Sequence, residues 1–166
     1  MVEKTLIQMY RGGLYDHIGS GFSRYSTDRY FLVPHFEKML YDNALLILAY
    51  SMAFRLTHNP LYRTVAEKTA GYVLRELTAP AGGFYSAEDA DSEGVEGKYY
   101  TFDTAELPRL LGADIGTLFN RYYGISPGGN FEGKSIPNLL HAEEFTDVFE
   151  PVSYTHLRAH ETELHL

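Results

Sequence analysis

Residues 33–44 read Val33-Pro34-His35-Phe36-Glu37-Lys38-Met39-Leu40-Tyr41-Asp42-Asn43-Ala44, and they open the most apolar run of the chain, which continues through Tyr50 and Phe54. A helix that is apolar on nearly all sides is usually surrounded by protein. A buried helix whose first turns carry His35, Glu37, Lys38, Tyr41, Asp42 and Asn43 must satisfy those groups internally or aim them into a wet cavity. The stretch therefore marks a core helix and, at residues 35–43, a candidate site.

Working outward, Pro34 is expected in the first helical turn, where its missing N–H costs nothing. The helix should run to about Leu56, with Phe36, Leu40, Ala44, Ile47 and Leu48 on one face. Upstream, residues 1–10 read as a helix stopped by Gly12-Gly13. Segments 22–26 and 29–33 are β-prone around Thr27-Asp28 and predict a hairpin. Downstream, Asn59-Pro60 is a turn and a second helix spans about 61–78, ended by Pro80 and Gly82-Gly83. Phe84-Tyr85-Ser86 and Tyr99-Tyr100-Thr101-Phe102 form another β-prone pair enclosing an acidic loop. Asp103 with Glu106 resembles a capping box for a helix ending near Gly112, with Asp where Ser or Thr is usual. Pro108 weakens that helix. A short helix covers about 114–123, and residues 124–140 read as loop. Gly12-Gly13-Leu14-Tyr15 recurs as Gly82-Gly83-Phe84-Tyr85, each copy following a helix, which suggests a repeated helical unit with a β excursion.

Composition narrows the classes. The 166 residues suit one ordinary domain. A net charge of −8 disfavours binding to a phosphate backbone, so nucleic acid is not expected as a partner. The absence of cysteine excludes disulfides, a thiol nucleophile and thiolate metal sites. No run reaches the roughly 18 apolar residues of a membrane span, and no signal peptide is evident, so a cytoplasmic protein without membrane contact is expected. The 14 Tyr and 10 Phe, with no Trp, supply rings with polar tips of the kind that line sugar clefts or sit where core meets water.

Three motif matches carry little chemistry. Gly128 to Ser135 fits G-x-x-x-x-G-K-S, yet a phosphate loop needs a buried strand before it and a helix after it. Here Pro127 precedes, Pro137 follows, and Glu132 would place a carboxylate beside the phosphates. Asp89-Ala90-Asp91-Ser92-Glu93-Gly94 begins like a calcium loop, but Tyr100 stands where the bidentate Glu belongs. A looser cation site from Glu88, Asp89 and Asp91 competes with a solvated acidic turn. His156 and His160 have metal-sharing spacing, but Leu164 stands where a zinc-protease pattern needs a third His.

Four ordered stretches resemble one family. They are Gly12 to Asp16 with Gly19 to Tyr25, Val33 to Ala44, Gly82 to Gly94 with Glu96-Gly97-Lys98, and Asn130 to Lys134. Together, over about residues 1–140, they resemble the spermatogenesis-associated protein 20-like family of thioredoxin-domain-containing proteins. The resemblance implies a thioredoxin-like domain followed by an (α/α) toroid similar to N-acylglucosamine 2-epimerase and the six-hairpin glycosidases. This chain matches the early part of the toroid alone. The fold expected is mainly α, a partial (α/α)6 toroid over residues 1–151, with helical hairpins and short β-ribbons at one end. Redox chemistry is not expected here, and the chain reads as a fragment that would not fold by itself. Its expected partner is the remainder of the full-length polypeptide, the thioredoxin-like domain and later toroid helices. Ser153 to Thr162 resembles a translated sequencing adapter, so residues 152–166 are set aside as a non-native or disordered tail.

In such a toroid the chemistry would be that of sugars. Glycoside hydrolysis needs two carboxyl groups, one protonated and one charged, and epimerisation needs an acid and a base on opposite faces of a carbon. The resemblance implies Asp42 and Asp89 as acid and base, with His35 and Glu37 accessory. Arg24, Lys38 and Lys98 would hold an anionic sugar such as a uronic acid. Tyr25, Tyr41 and Asn43 would position it, with Glu88 and Asp91 at its edge. No metal or cofactor is expected. Two readings stay open: a carbohydrate-binding or carbohydrate-active domain, or a non-catalytic scaffold presenting clients to the thioredoxin-like domain, in which these groups form a structural network.

Overall fold

The computed structural model describes residues 1–142. The tail, the paired His156 and His160, and residues 143–151 of the expected toroid segment lie outside the described residues. The chain is helical with small antiparallel ribbons, and it divides into two compact units, Met1–Asp16 with Ser20–Tyr99, and His17–Gly19 with Tyr100 onward.

In the first unit, α1 (Val2–Arg11) ends where expected, but not through a left-handed glycine. Gly12 is extended, and a Cβ there would stand 2.0 Å from the Phe31 carbonyl oxygen, so close approach is what requires glycine. The second Gly-Gly pair differs. Gly82 and Gly83 have φ of 90° and 84°, Leu14 and Tyr15 are buried, and Phe84 and Tyr85 are half-exposed. The two copies share letters and not conformation.

The decisive stretch departs from the expected helix. Pro34 lies in an extended strand, and the helix begins at Leu40. Strand β1 (Tyr25–Ser26) pairs with β2 (Pro34–His35), aligning Tyr25 with His35. Residues 27–33 are a loop gathered by Asp28, whose carboxylate accepts the N–H groups of Tyr30 and Val33. The expected hairpin partner 29–33 is therefore displaced by 34–35. Strand β3 (Lys38–Met39) then takes a third partner far along the chain, which supplies its hydrogen bonds without a helical turn.

Helix α2 (Leu40–Thr57) packs on α3 (Pro60–Glu76) as a hairpin. His58 closes α2 in the left-handed region, and the Asn59 side chain accepts the Leu61 N–H at 3.0 Å to open α3 behind Pro60. Buried on α2 are Asn43, Tyr50 and Ala53, while Leu40 and Ile47 pack against Tyr72, Val73 and Leu77. Phe36 precedes the helix, and Ala44 and Leu48 are exposed, so the face grouping those five residues does not exist. Nor do the described residues enclose α2. Leu45, Leu48, Met52 and Leu56 form an exposed apolar stripe at helical spacing. The core beneath is aromatic. Phe22 stacks on Tyr50 with centroids 5.5 Å apart, and the Tyr50 hydroxyl donates to the Leu6 carbonyl at 2.7 Å.

Strand β4 (Ala87–Glu88) pairs with β3, aligning Lys38 with Glu88, and β5 (Asp91–Ser92) pairs with β6 (Val95–Glu96). Residues 84–86 and 99–102 thus do not pair with each other. Phe84 bridges Thr78, and Phe102 bridges Ser135 in the second unit.

The second unit holds α4 (Glu106–Leu111) and α5 (Ala113–Tyr122). The Asp103–Glu106 box closes in both directions, the Glu106 N–H donating to Asp103 at 3.0 Å and the Asp103 N–H to Glu106 at 2.7 Å. Leu107, Phe119, Tyr123, Ile136 and Leu139 form its buried apolar set. The phosphate-loop pattern is a tight hairpin turn. Phe131 and Lys134 bridge, with positive φ at Glu132 and Gly133, and no helix follows among the described residues. Among the described residues no helix is long and apolar enough to cross a membrane.

Candidate functional site

The polar groups of residues 35–43 separate into a dry set and a wet set, and the alternation of strand β3 begins the division. Lys38 points inward. Its side chain is fully buried, with Nζ 2.7 Å from the Asp16 carboxylate, 3.0 Å from the Ser20 carbonyl and 4.5 Å from the centre of the Tyr72 ring. The Tyr72 hydroxyl donates to Glu88 at 2.6 Å. Burial, and then the Glu88 charge, push the Tyr72 phenol far above its ordinary range, so it remains a donor. Gly21 lies flat against the same ring, where a Cβ would come within 2.4 Å. Lys38 and Glu88, both expected to touch substrate, are thus held in an internal network with Asp16 and Tyr72.

Asn43 is equally enclosed. Its carboxamide accepts the Phe22 N–H at 2.7 Å and donates to the Phe22 carbonyl at 3.0 Å and to the Met39 carbonyl at 2.9 Å. It pairs with Phe22 as a neighbouring strand would.

The wet set gathers around Arg24. The Arg24 backbone N–H donates to the Glu37 carbonyl at 2.7 Å, and its guanidinium reaches the Glu37 carboxylate at 3.1 Å. Tyr41 and then Glu37 hold Arg24 above its ordinary pKa. Asp42 sits in the field of Arg24. One of its carboxylate oxygens is closed to solvent without a hydrogen-bond partner, and burial raises its pKa against the opposing pull of Arg24. His35 stands between two acids, Nδ1 3.9 Å from Glu37 and Nε2 3.9 Å from Glu96. The Tyr25 ring leans on the imidazole with centroids 5.2 Å apart. Tyr25 and Tyr41 are each about half-exposed, at 50% and 49%. The wet set is therefore an accessible patch of Arg24, Tyr25, His35, Glu37, Tyr41, Asp42 and Glu96.

Glu96 had no assigned role in the sequence. The β5–β6 ribbon turns it back toward His35, and Gly97 makes room for this. Gly97 has φ of 71°, and a Cβ there would stand 2.4 Å from the Phe36 ring. The motif Glu96-Gly97-Lys98 was the available signal. Asp16 and Tyr72 were missed because nothing local links them to Lys38.

The remaining acidic-loop residues do other work. Asp89 is exposed, and its carboxylate accepts the Asp91 N–H at 3.1 Å, a turn closed on itself. The charge acting on Asp42 is that of Arg24 and not that of Asp89. Lys98 pairs with Glu93 on the exposed ribbon. Among the described residues no group of three His, Asp or Glu side chains is arranged to hold a metal ion.

No family model matches the chain. Spermatogenesis-associated protein 20 of Homo sapiens is 44% identical over 152 residues, which cover 82% of this chain and 19% of the human protein. The protein of the same name from Mus musculus is 42% identical over 153 residues, covering 83% of this chain and 19% of its own length. An uncharacterized protein of Caenorhabditis elegans is 35% identical over 154 residues, covering 83% of this chain and 21% of its own length. The chain is a homologue of these proteins across most of its length and spans about a fifth of the length of the curated relatives. Such similarity supports the family resemblance carried by the four motifs.

Proposed function

We propose that the wet set is a sugar-binding acid–base site, contributed by a partial (α/α)6 toroid to a larger cytoplasmic protein. The observation that carries this is Asp42, a carboxyl group whose pKa is raised by burial, one oxygen unpartnered, beside an Arg24 already paired with Glu37. Two carboxyls in contrasting environments are what acid–base work on a sugar requires. Asp42 is the proton donor. Glu37, salt-bridged and on the rim, takes the base role in place of Asp89. His35 lies between Glu37 and Glu96, 3.9 Å from each, and the half-exposed rings of Tyr25 and Tyr41 offer apolar faces to a pyranose. The test is calorimetric titration of the protein with a panel of hexoses, amino sugars and uronic acids, on wild type and Asp42→Asn. Binding with turnover lost in Asp42→Asn supports the site, and no binding by folded protein defeats it.

A second reading has its own support. The full satisfaction of Lys38, Asn43 and Glu88 inside the unit suits a scaffold serving an absent thioredoxin-like domain, with the exposed stripe of α2 covered by later helices of the longer polypeptide. Under that reading Asp42→Asn changes stability and leaves ligand binding and turnover absent.

A further inference from the structure

Resting on the sugar-site reading, we infer that the ligand carries a positive charge among its hydroxyls, an amino sugar and not a uronic acid. The sequence supplies three basic residues for an acidic ligand, Arg24, Lys38 and Lys98, and their placement removes two. Lys38 is fully buried against Asp16, and Lys98 is paired with Glu93. Arg24 is left, and its guanidinium is already paired with Glu37.

Against Arg24 stand Glu37 and Glu96, flanking His35 at 3.9 Å on either side. His35 adds positive charge only when protonated. Glu96 is half-exposed, with 51% of its side chain accessible, so a ligand reaches its carboxylate from solvent. Glu37 is offset by its ion pair with Arg24, so a uronate would meet the Glu96 carboxylate, of its own sign. An ammonium would meet a carboxylate of the opposite sign at Glu96, near a Tyr25 ring that already carries Arg24 and His35. Hydroxyls find an acceptor at Glu37 and donors at Arg24 and Tyr41. The net charge of −8 biases encounter the same way.

The experiment titrates the whole protein near neutral pH and low salt with glucosamine, glucose and glucuronate in parallel, then repeats the series on Glu96→Gln. Glucosamine should bind most tightly and glucuronate least. Glu96→Gln should weaken glucosamine by about two- to fivefold, the worth of one exposed ion pair, and strengthen glucuronate. Glucuronate binding as tightly as glucosamine, or an unchanged order of affinities in which glucose leads, overturns the charge assignment while leaving the sugar site standing. Failure of all three to bind folded protein overturns both.

Discussion

The Lys38 ammonium lies 2.7 Å from the Asp16 carboxylate, with side-chain exposures of 0% and 7%. The pair joins the segment after α1 to the first residue of β3, and the Tyr72 ring covers it. A buried ion pair contributes little relative to an apolar replacement, but breaking one partner leaves an uncompensated charge. Lys38→Met should therefore destabilise by roughly 3–5 kcal/mol. Lys38→Met with Asp16→Leu should recover most of that loss. Urea denaturation of the two variants checks it, and a double variant as unstable as the single one would exclude the ion-pair account.

Asn43 joins α2 to Phe22 through two hydrogen bonds that copy a β ladder. Asn130 does the same in the second unit, accepting the Ile136 N–H at 2.7 Å and donating to its carbonyl at 3.0 Å. Each amide substitutes for a missing strand. Asn43→Asp keeps the shape and loses the donors, and Asn43→Ala loses both. Leaving the Phe22 N–H and C=O unpaired costs Asn43→Ala about 1–3 kcal/mol each, whereas Asn43→Asp buries an unpaired charge against two carbonyl oxygens, so Asn43→Asp should be the worse variant at neutral pH. Thermal melts of the two variants test the ranking. Hydrogen exchange at the Phe22 amide should rise in Asn43→Ala by at least tenfold.

The helices were legible because their signals are local. Asn59-Pro60 marked the turn between α2 and α3, Pro80 with Gly82-Gly83 marked the end of α3 to within a few residues, and Asp103 with Glu106 marked a box that closes, whereas the apolar face expected on α2 is not formed. The ribbons were not legible. Each strand is two residues long, too short to show alternation, and the β3–β4 pairing joins residues about fifty positions apart. Proline suits a first helical turn as well as a strand, and backbone partners at Ser26 and Glu88 on either side of the stretch decide for the strand. The site residues were found as a group and not by role. Lys38 and Asp42 are four positions apart in one motif, and only the alternation of an extended strand sends the first into the core.

Asp42 sets a pH dependence whose sign follows from its raised pKa. Between the ordinary value near 3.8 and the raised one, the folded chain holds a proton that the unfolded chain has released. Its contribution to stability is thus greatest at low pH and falls as pH rises through that window. Asp42→Asn removes this dependence and should raise the melting temperature near neutral pH. Arg24→Gln should move the window upward, because Arg24 opposes the shift. Melting temperatures across the acidic range check both, and a melt in which Asp42→Asn is less stable than wild type at neutral pH would contradict the buried, unpartnered oxygen.

Leu45, Leu48, Met52 and Leu56 follow one another along α2 at intervals of three or four residues and are 64%, 57%, 52% and 81% exposed. Side chains at that spacing share a face. A contiguous apolar face of this kind is a site of association. The isolated chain should therefore self-associate in a concentration-dependent way. Leu48→Lys with Met52→Lys should abolish that association while leaving the melting temperature nearly unchanged, since neither residue packs in the core formed by Tyr72, Val73 and Leu77. Analytical ultracentrifugation over a hundredfold range of concentration, with circular dichroism as the check on folding, distinguishes the outcomes. A wild-type chain that sediments as a monomer throughout would mean that the stripe is tolerated in water, and the case for a covering partner would lose its footing.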